Sequence, residues 1–256
     1  MTSMTAITVL MSALDLPAGA RVDARVPKKM LIEQGAPTAA DKRTIQDGVG
    51  EIQWLAALKP NTVAIPAFAD EAREYPEIAV IAVIFRAEAR AARLTKLIHR
   101  AIPYPVLLIT ALSGGVALSV APKRAAQNEG GKVVVERIIA VSDLNPLAPP
   151  EMERAFMDSL ALRHQPSRDL SAVYDGWLTR IEALTAARLS GIYAVSDDAA
   201  TIERRRIALE SHAQLARNIA GLRAKAAREK QLNRRVDLNL EIQRRVSELK
   251  GVAKWL

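Results

Sequence analysis

The sequence predicts an α+β, α/β-like fold: a mixed sheet of four to five strands with flanking helices, followed by a long helical, partly coiled-coil-like C-terminal part. Two observations support this prediction. All thirteen prolines lie at or before Pro166 and eight of the twelve glycines lie before residue 132, which concentrates turns in the first part of the chain. The last ninety residues contain no proline and show long helical patterns. We therefore divide the chain at "DLNPLAPP" into a mixed-sheet domain over 1–147 and a helical domain over 148–256.

Two helices are predicted first. The opening "MTSMTAITVLMSALDLP" lacks the basic start and the small-residue cleavage site of a signal peptide, which favours a short helix. Segment 38–60 begins with a helix cap at Thr38 and ends at Pro60. Its apolar residues recur at helical spacing: Ile45, Val49, Ile52 and Leu55. We expect a single helix over this segment.

The sheet is predicted from the β-branched, apolar runs that follow. "EIAVIAVIFR" (77–86) indicates a strand covered on both faces, and "AEARAARLTKLIHRA" (87–101) indicates a helix. "VLLITALSGGVALSVA" (106–121) would reach only about 24 Å as a helix, which is short of a membrane span of about 30 Å. Its central "GG" favours a hairpin of two strands. "GKVVVERIIAV" (131–141) adds a strand in which a Glu-Arg pair interrupts the apolar run.

The helical part is predicted from capping residues and periodicity. "PPEMERAFMDSLALRH" has proline at a favourable helix start, and "LSAVYDGWLTRIEALTAARLSG" ends on a glycine suited to a C-terminal cap. Residues 196–198 are suited to begin a last long helix. Its apolar face rotates after about residue 232, so the helix either breaks between 229 and 238 or changes partners. A short strand at "VDLNLEI" is a further alternative.

Composition excludes several kinds of site. The chain has no cysteine, which rules out disulfides, thiolate metal sites and a cysteine nucleophile and suits a reducing cytoplasm, where we expect the protein. His99, His164 and His212 lie far apart without ligand spacing, so we interpret them as packed or solvated side chains. We expect no metal site and no cofactor.

Charge singles out the end of the chain. Residues 201–256 contain fourteen Lys or Arg and six Asp or Glu, a surplus of eight that equals the net charge of the whole chain. On a continuous helix four arginines would form one stripe opposite an apolar face: Arg206, Arg217, Arg228 and Arg235. One interpretation is contact with nucleic-acid phosphates, insensitive to sequence because no aromatic residue lies between Tyr193 and Trp255. The other is a solvated face of a coiled-coil-like helix that pairs with an acidic partner or with another copy of the chain.

Two weaker clusters remain in the first part. Asp41, Glu77 and Lys123 are candidate catalytic residues for a phosphate-processing enzyme, in which carboxylates hold Mg²⁺ and lysine contacts the phosphate. Lys42 and Arg43 beside Asp41 would assist. Separately, "PKK" and "PKR" place pairs of cations at strand ends: Lys28 and Lys29, and Lys123 and Arg124. They form an anion site only if the folded sheet brings the two pairs together.

Several segments together resemble one known family. They are "VPKKMLIEQGAPTAADKRTIQDGVGEIQWLAALKPNTVAIP", "EYPEIAVIAVIFR", "IHRAIPYPVLLI", "LSVAPKR" and "REKQLNRRVDLNLEIQRRVSEL", in this order. The chain resembles the domain of unknown function 4391 family of bacteria and archaea over roughly residues 20–250. The resemblance supplies no mechanism. It implies that the protein occurs together with helicases and DNA methyltransferases in the gene clusters of restriction-like or phage-defence systems.

Two functional hypotheses follow. The first is a non-catalytic accessory or adaptor subunit whose partners are the helicase and DNA methyltransferase proteins of such a system, with possible sequence-independent DNA contact through the basic helix. The second is a metal-dependent nuclease or other phosphate-processing enzyme built on the mixed sheet, for which Mg²⁺ would be the cofactor.

Overall fold

A computed structural model describes residues 2–125 and 133–256 of the protein. Its α-helices in this part of the chain are α1 (Thr2–Ala13), α2 (Lys28–Gly35), α3 (Ala39–Gly48), α4 (Pro60–Val63), α5 (Ala91–Ala101), α6 (Glu151–Ser159), α7 (Leu170–Ser190), α8 (Ala199–Arg228) and α9 (Leu232–Ala253). Its strands are β1 (Arg21–Arg25), β2 (Val49–Leu58), β3 (Phe68–Ala69), β4 (Glu74–Tyr75), β5 (Ile78–Phe85), β6 (Val106–Leu112), β7 (Gly115–Val120), β8 (Lys123–Ala125), β9 (Val133–Val135) and β10 (Ile139–Leu144).

The main sheet is mixed, as predicted, and has six strands in the order β1-β2-β5-β6-β7-β10. Strands β5 and β6 are parallel and are joined through α5, whereas the other neighbouring pairs are antiparallel. The parallel pair lies at the centre and is almost entirely buried, which explains the continuous apolar runs in its sequence. The predicted hairpin is confirmed between β6 and β7, where Ser113 and Gly114 adopt positive φ angles of 49° and 89°.

The prediction of one helix over 38–60 is wrong in its second half. The helix ends at Gly48 and the chain continues as β2, which pairs with β1 on one side and β5 on the other. A Cβ atom on Gly48 would lie 2.7 Å from Cδ1 of Leu94, so this glycine lets α3 approach α5 closely before the chain turns into the sheet. Pairing on both edges overrides the helical spacing of the apolar residues.

The predicted strand over 131–141 is divided into two. Within its described residues, Val133–Val135 form β9, which pairs with β8 in a small separate hairpin, and β10 begins only at Ile139 and pairs with β7. Glu136 and Arg137 lie between them, where the sequence already showed an interruption. Residues 131 and 132 of this prediction lie outside the described part.

Helices cover both faces of the sheet. The apolar sides of α2, α3 and α5 pack on one face around Leu31, Ile45, Leu94 and Leu97. Tyr174 of α7 reaches the sheet itself: its hydroxyl accepts from Ala121 N–H at 2.7 Å and donates to the carbonyl of Val106 at 3.0 Å. In the described residues, no helix is long and apolar enough to cross a membrane.

The chain forms two compact units, which meet in sequence between Ile181 and Glu182. This division falls later than the predicted boundary at 147/148, which lies between the end of β10 and the start of α6. The difference has a physical cause. Trp177 of α7 is fully buried and its indole donates to the carbonyl of Leu160 at 2.9 Å. Helix α6 and the first half of α7 therefore belong to the core of the first unit, residues 1–181, which we call the sheet unit.

The second unit contains the predicted long helical region. Asp198 caps α8 by accepting from Thr201 N–H at 2.8 Å. The helix ends at Arg228 and α9 begins at Leu232, so the alternative of a break near 229–238 is the one observed. Residues of "VDLNLEI" are helical. We call α8 and α9 with their short connection the helical hairpin.

Candidate functional site

Asp41, a candidate catalytic carboxylate, ties two helices together. It lies in the first turn of α3, where Thr38 accepts its backbone N–H at 3.1 Å and donates to Oδ2 at 2.9 Å. Nε of Arg93 in α5 donates to Oδ1 at 2.8 Å. The hydrogen bond from the Arg93 guanidinium holds the pKa of this buried carboxyl below its ordinary value. Asp41 is thus committed to the contact between α3 and α5.

Glu77 has a comparable structural partner. It precedes β5, and its Oε2 lies 3.1 Å from Nζ of Lys59, which follows β2. Because Leu58 and Ile78 are paired in the sheet, this ion pair closes the adjoining ends of two neighbouring strands. Lys59 therefore neutralises the carboxylate of Glu77 within the same unit.

Lys123 belongs to a buried polar cluster that the sequence did not reveal. Its Nζ donates to the carbonyls of Ile102 and Tyr104, in the proline turn before β6. Burial lowers the pKa of Lys123 to about 7. Nearby, Nε2 of His99 is 2.9 Å from Oγ of Ser119, and burial together with the charge of Lys123 lowers the pKa of His99 to about 3. The interpretation of His99 as a packed side chain agrees with its full burial.

The structure does not gather the three catalytic candidates into one site. Asp41 bonds to Arg93 at the start of α5, whereas Lys123 bonds to the carbonyl of Ile102 just after that helix ends. Nine residues, or about 13 Å of helical rise, separate Arg93 from Ile102, and the two candidates have different partners. Glu77 and Lys123 both lie near the end of the sheet at which β5 and β6 begin. Strand β6 separates them, and each is bound to another partner.

The two proposed anion-binding pairs belong to different elements, the start of α2 and strand β8. Burial and the charges of Arg86 and Arg25 lower the pKa of Lys28. Lys123 lies near the start of β6, the parallel neighbour of β5. The other end of α2, at Gly35, lies against Ala101, next to Ile102 whose carbonyl binds Lys123, so about 10 Å of helical rise separates Lys28 from that end of the helix.

Lys29 and Arg124, the other members of the two pairs, each face a carboxylate. Lys29 is 3.6 Å from Glu33 and Arg124 is 3.8 Å from Glu136. Within the described residues no contact joins the two pairs, and the common anion site stays a prediction.

The hairpin distributes the four predicted stripe arginines over different environments. Arg206 forms an ion pair with Glu203, and Arg217 donates to Oε1 of Gln214 at 2.6 Å. Arg228 is the last residue of α8 and is exposed. Arg235 lies in α9, so it cannot continue the stripe that a single helix would have formed.

Where α8 and α9 run side by side, their facing side chains enclose a shallow groove. A cavity of about 550 Å³ is lined by Lys225, Arg228, Glu229, Arg234, Asp237, Leu238 and Glu241. An adjoining cavity of about 270 Å³ is lined by Arg217, Asn218, Gly221, Leu222, Lys225, Glu241 and Arg245. Because Lys225 and Glu241 line both, the two cavities form one feature, which we call the cationic groove.

The cationic groove is not evenly neutralised. Arg245 is 3.0 Å from Glu248 and 3.9 Å from Glu241. Lys225, Arg228 and Arg234 are exposed, and within the described residues none of them makes an ion pair or a side-chain hydrogen bond. Glu229, Asp237 and Glu241 line the same cavity, so over both cavities five cations face three carboxylates. This surplus of two positive charges favours binding of a polyanion. Sequence reasoning found Arg228 but missed Lys225 and Arg234, because they meet only when the chain folds back.

Metal ligands are not clustered in the part of the chain that the structure describes: it contains no group of three or more His, Asp or Glu side chains placed to hold an ion. Comparison with curated proteins finds no match, and comparison with solved structures finds none. A family model does match over residues 14–249, which cover the sheet unit after α1 and most of the helical hairpin. The chain belongs to that family, Domain of unknown function (DUF4391).

Proposed function

We propose that the protein is a non-catalytic accessory or adaptor subunit of a restriction-like or phage-defence system, with a helicase and a DNA methyltransferase as partners. Its helical hairpin contacts the phosphate backbone of nucleic acid. The observation that carries the proposal is the set of three cations, Lys225, Arg228 and Arg234, that line one groove without an ion pair within the described residues. The setting and the partners rest on the resemblance of the sequence segments. The proposal requires no cofactor.

The chemistry of the groove favours phosphate over other ligands. Arginine and lysine side chains on two adjacent helices present several N–H donors to an extended polyanion. Each phosphate that they neutralise releases condensed counterions, which drives binding regardless of base sequence. The hairpin has no aromatic residue between Tyr193 and Trp255, so base stacking does not contribute to binding there.

The accessory role is supported by the state of the catalytic candidates. Asp41 is bonded to Arg93, Glu77 is paired with Lys59, and Lys123 donates to two carbonyls. Each of these contacts joins neighbouring elements of the sheet unit. These contacts give all three residues a structural role that requires no catalytic activity. This favours the adaptor hypothesis over the nuclease hypothesis.

The experiment is equilibrium binding of a labelled duplex DNA of mixed sequence to the full chain across a salt series. We expect affinity to fall steeply with salt and to be independent of sequence. The triple change K225A/R228A/R234A should reduce the slope of log affinity against log salt by about 3, since each contact contributes about 0.9. An unchanged slope would contradict phosphate binding by the groove.

A matched control removes the same charge elsewhere. Lys42, Arg43 and Arg90 are exposed residues of the sheet unit. The triple change K42A/R43A/R90A lowers the net charge equally and should leave the salt slope at the wild-type value. If both triple variants weaken binding alike, net charge and not the groove is responsible.

The enzyme hypothesis is tested on the same DNA with Mg²⁺ added. Cleavage by the full chain that disappears in Glu77→Gln or Lys123→Met would replace the accessory role with a nuclease. We expect the DNA to remain intact.

A further inference from the structure

Strand β9 has one edge that, within the described residues, pairs with no other strand. Its other edge forms an antiparallel ladder with β8, which Glu136 N–H continues by donating to the carbonyl of Pro122 at 3.0 Å. The bonds of such a ladder use every second residue. Val134 therefore faces β8, whereas Val133 and Val135 direct their N–H and C=O groups to the open edge. These two residues offer an added strand two donors and two acceptors.

The outer edge of β8 shows the same alternation with a partner in place. Ala125 N–H is offset by one residue from the ladder bonds, and it donates to the carbonyl of Ala72 at 2.7 Å on the side away from β9. In the described part of the chain, neither Val133 nor Val135 has such a bond on its open side. Strand β8 is thus bonded along both edges and β9 along one.

The edges of the main sheet differ from the open edge of β9. Strands β1 and β10 both contain an irregular register, and in each an aspartate adopts a positive φ angle: 48° at Asp23 and 56° at Asp143. Bulges and charged side chains at a sheet edge hinder the addition of another strand. By contrast, β9 pairs with β8 in regular register and consists of three valines. It lacks the features that protect the other two edges.

A cavity of about 640 Å³ extends along the open edge. It is lined by β9 and the three residues after it, by the end of α2 with the segment that follows, and by Lys96 and Arg100 of α5. Side chains of consecutive strand residues point to opposite faces, yet all three valines line the cavity, so it follows the edge of the strand. Val133 and Val134 are 42% and 40% exposed. We call the open edge and this cavity the edge groove.

The carboxylates of the edge groove already have counter-charges. Glu33 and Glu136 both line the cavity. Glu33 lies 3.6 Å from Lys29, and Glu136 lies 3.8 Å from Arg124. Neither of these two cations belongs to the lining. The groove therefore presents no carboxylate that lacks a cation beside it.

The cations of the groove are less fully paired. Lys96 and Arg100 lie one turn apart on α5, are exposed, and make no ion pair or side-chain hydrogen bond to another described residue. Arg100 helps to lower the pKa of Asp41, but that carboxylate is buried and bonded to Arg93. A segment that enters the groove thus meets two cations that are free to bind an acid.

We propose that the edge groove binds an extended, acidic segment of a partner protein, which adds to β9 as a third strand. Its backbone pairs with Val133 and Val135, and Asp or Glu side chains on one of its faces reach Lys96 and Arg100. A helix would leave the edge unpaired, because its backbone groups bond to one another. The surface belongs to the sheet unit, so the inference goes beyond the nucleic-acid contact of the helical hairpin and does not depend on it.

The test uses synthetic peptides and the full chain. The probe is a fluorescently labelled peptide of about ten residues in which Glu alternates with Thr, a residue that favours extended backbone. Its counterpart has Lys in place of every Glu. We expect saturable anisotropy with the acidic peptide and binding at least about tenfold weaker with the basic one.

Methylation of the peptide backbone tests strand addition directly. N-methyl groups on every second residue remove the N–H donors along one edge of an extended peptide and keep its charge. One peptide is methylated at its Glu residues and another at its Thr residues. We expect one of the two to bind at least about tenfold more weakly than the probe, because it loses its donors to β9, and the other to bind within about threefold.

Variants of the chain locate the binding surface. K96Q/R100Q should weaken the acidic peptide by at least about tenfold, whereas K42Q/R43Q, which removes two exposed cations of α3, should weaken it by no more than about twofold. The variant K225A/R228A/R234A should bind the peptide as the wild type does.

A change in β9 tests the edge itself. Val135→Pro removes a donor from the open edge and no ladder bond to β8, and it should weaken the peptide by at least about fivefold. Val135→Thr keeps the N–H group and should bind like the wild type. If circular dichroism shows that Val135→Pro unfolds, the methylated peptides decide the question on the wild-type chain.

Several outcomes would overturn the proposal. Equal binding of both methylated peptides and the probe would show that charge alone attracts the peptide. Equal loss in the two glutamine variants would show general electrostatic attraction, and loss in K225A/R228A/R234A would assign the peptide to the cationic groove. A dimer in sedimentation that Val135→Pro dissociates would make a second copy of the chain the occupant. None of these results bears on the salt dependence of DNA binding, which tests the hairpin separately.

Discussion

The sheet unit and the helical hairpin use apolar residues in different ways. In the sheet unit, β5 and β6 are buried along nearly their whole length, and large side chains such as Trp177 and Tyr174 are fully enclosed. In α9 no residue is buried, although its 22 residues include leucine, isoleucine and valine. Among the described residues, seven large apolar side chains are exposed in the first unit (1–181) and eight in the much shorter second unit (182–256), so exposed apolar surface is denser in the second unit. We place the proposed nucleic-acid contact on the hairpin, whereas in the first unit the adjacent exposed residues Val133 and Val134 belong to the edge groove.

Charge follows the same division. Up to Ile181 the chain has 21 basic and 19 acidic residues, whereas from Glu182 onward it has 15 and 9. In the sheet unit, ionic side chains such as Asp41 and Glu77 join neighbouring elements. On the hairpin, five of the exposed cations have no acidic partner within the described residues: Arg223, Lys225, Arg228, Arg234 and Arg235. Unpaired charge on a surface contributes little to folding and much to association.

The largest expected contrast is between two tryptophans. Trp177→Ala removes a fully buried side chain and leaves the carbonyl of Leu160 without its indole donor. We expect the free energy of unfolding of the sheet unit to fall by about 3–5 kcal/mol. The measurement is urea denaturation followed by circular dichroism.

Trp255→Ala is the matched control in the other unit, because Trp255 is 72% exposed. We expect a change of no more than about 0.5 kcal/mol. Comparable losses in the two variants would contradict the view that only the sheet unit depends on enclosed aromatic side chains.

Sequence patterns predicted the fold best where one pattern excluded the others. The run over β5 is apolar at nearly every position, and the two glycines after β6 require a turn, so both the buried strand and the hairpin were predictable. In segment 49–58, the spacing of Val49, Ile52 and Leu55 also suits a helix. Its strand conformation depends on β1 and β5, which are distant in sequence, and such pairing leaves no local signal.

The candidate site was predictable in composition but not in geometry. The surplus of basic residues after residue 201 is plain in the sequence, and Arg228 was identified from it. The connection after Arg228 then separates Arg235 from the other stripe residues and brings Arg234 across from Lys225. Helical periodicity describes positions around the axis of one helix. It therefore cannot predict which residues of two different helices will line the same groove.

The second contrast compares two helical glycines. A Cβ atom on Gly35 would lie 2.5 Å from Cβ of Ala101 and 2.9 Å from the carbonyl of Leu97, so Gly35→Ala must push α2 away from α5. We expect a loss of about 1–3 kcal/mol in the free energy of unfolding. Gly221→Ala in α8 meets no atom within 4 Å and should instead stabilise its helix by about 0.5–1 kcal/mol.

Thermal and urea denaturation of both glycine variants check the signs. Opposite signs would support the distinction between a tightly packed and an open unit. A loss of stability in both would indicate that α8 is packed where the structure leaves it open.

The smallest expected effect is on the pH dependence of the free energy of unfolding, for which we compare a buried lysine with an exposed one. Burial lowers the pKa of Lys123 to about 7 in the folded protein, whereas an unfolded lysine has its ordinary, much higher value. At a pH between these two pKa values, Lys123 is protonated in the unfolded chain and neutral in the folded chain. The free energy of unfolding therefore rises with pH over this range. Below pH 7 both states are protonated and its contribution is constant. A neutral amine has two N–H groups, which match the two carbonyls of Ile102 and Tyr104.

We therefore expect Lys123 to add to the free energy of unfolding on the order of 1 kcal/mol per pH unit between pH 7 and 9.5. Lys123→Met should remove this slope, because methionine fills similar space and does not titrate. Measurements stop at pH 9.5, since burial raises the pKa of Tyr75 and Tyr174 and their titration would oppose the effect at higher pH. Lys225→Met changes an exposed lysine of the hairpin in the same way and is the control variant, which should keep the wild-type slope. An equal slope in Lys123→Met and in the wild type would show that another group causes it and that Lys123 does not lose its proton in the folded protein over this range.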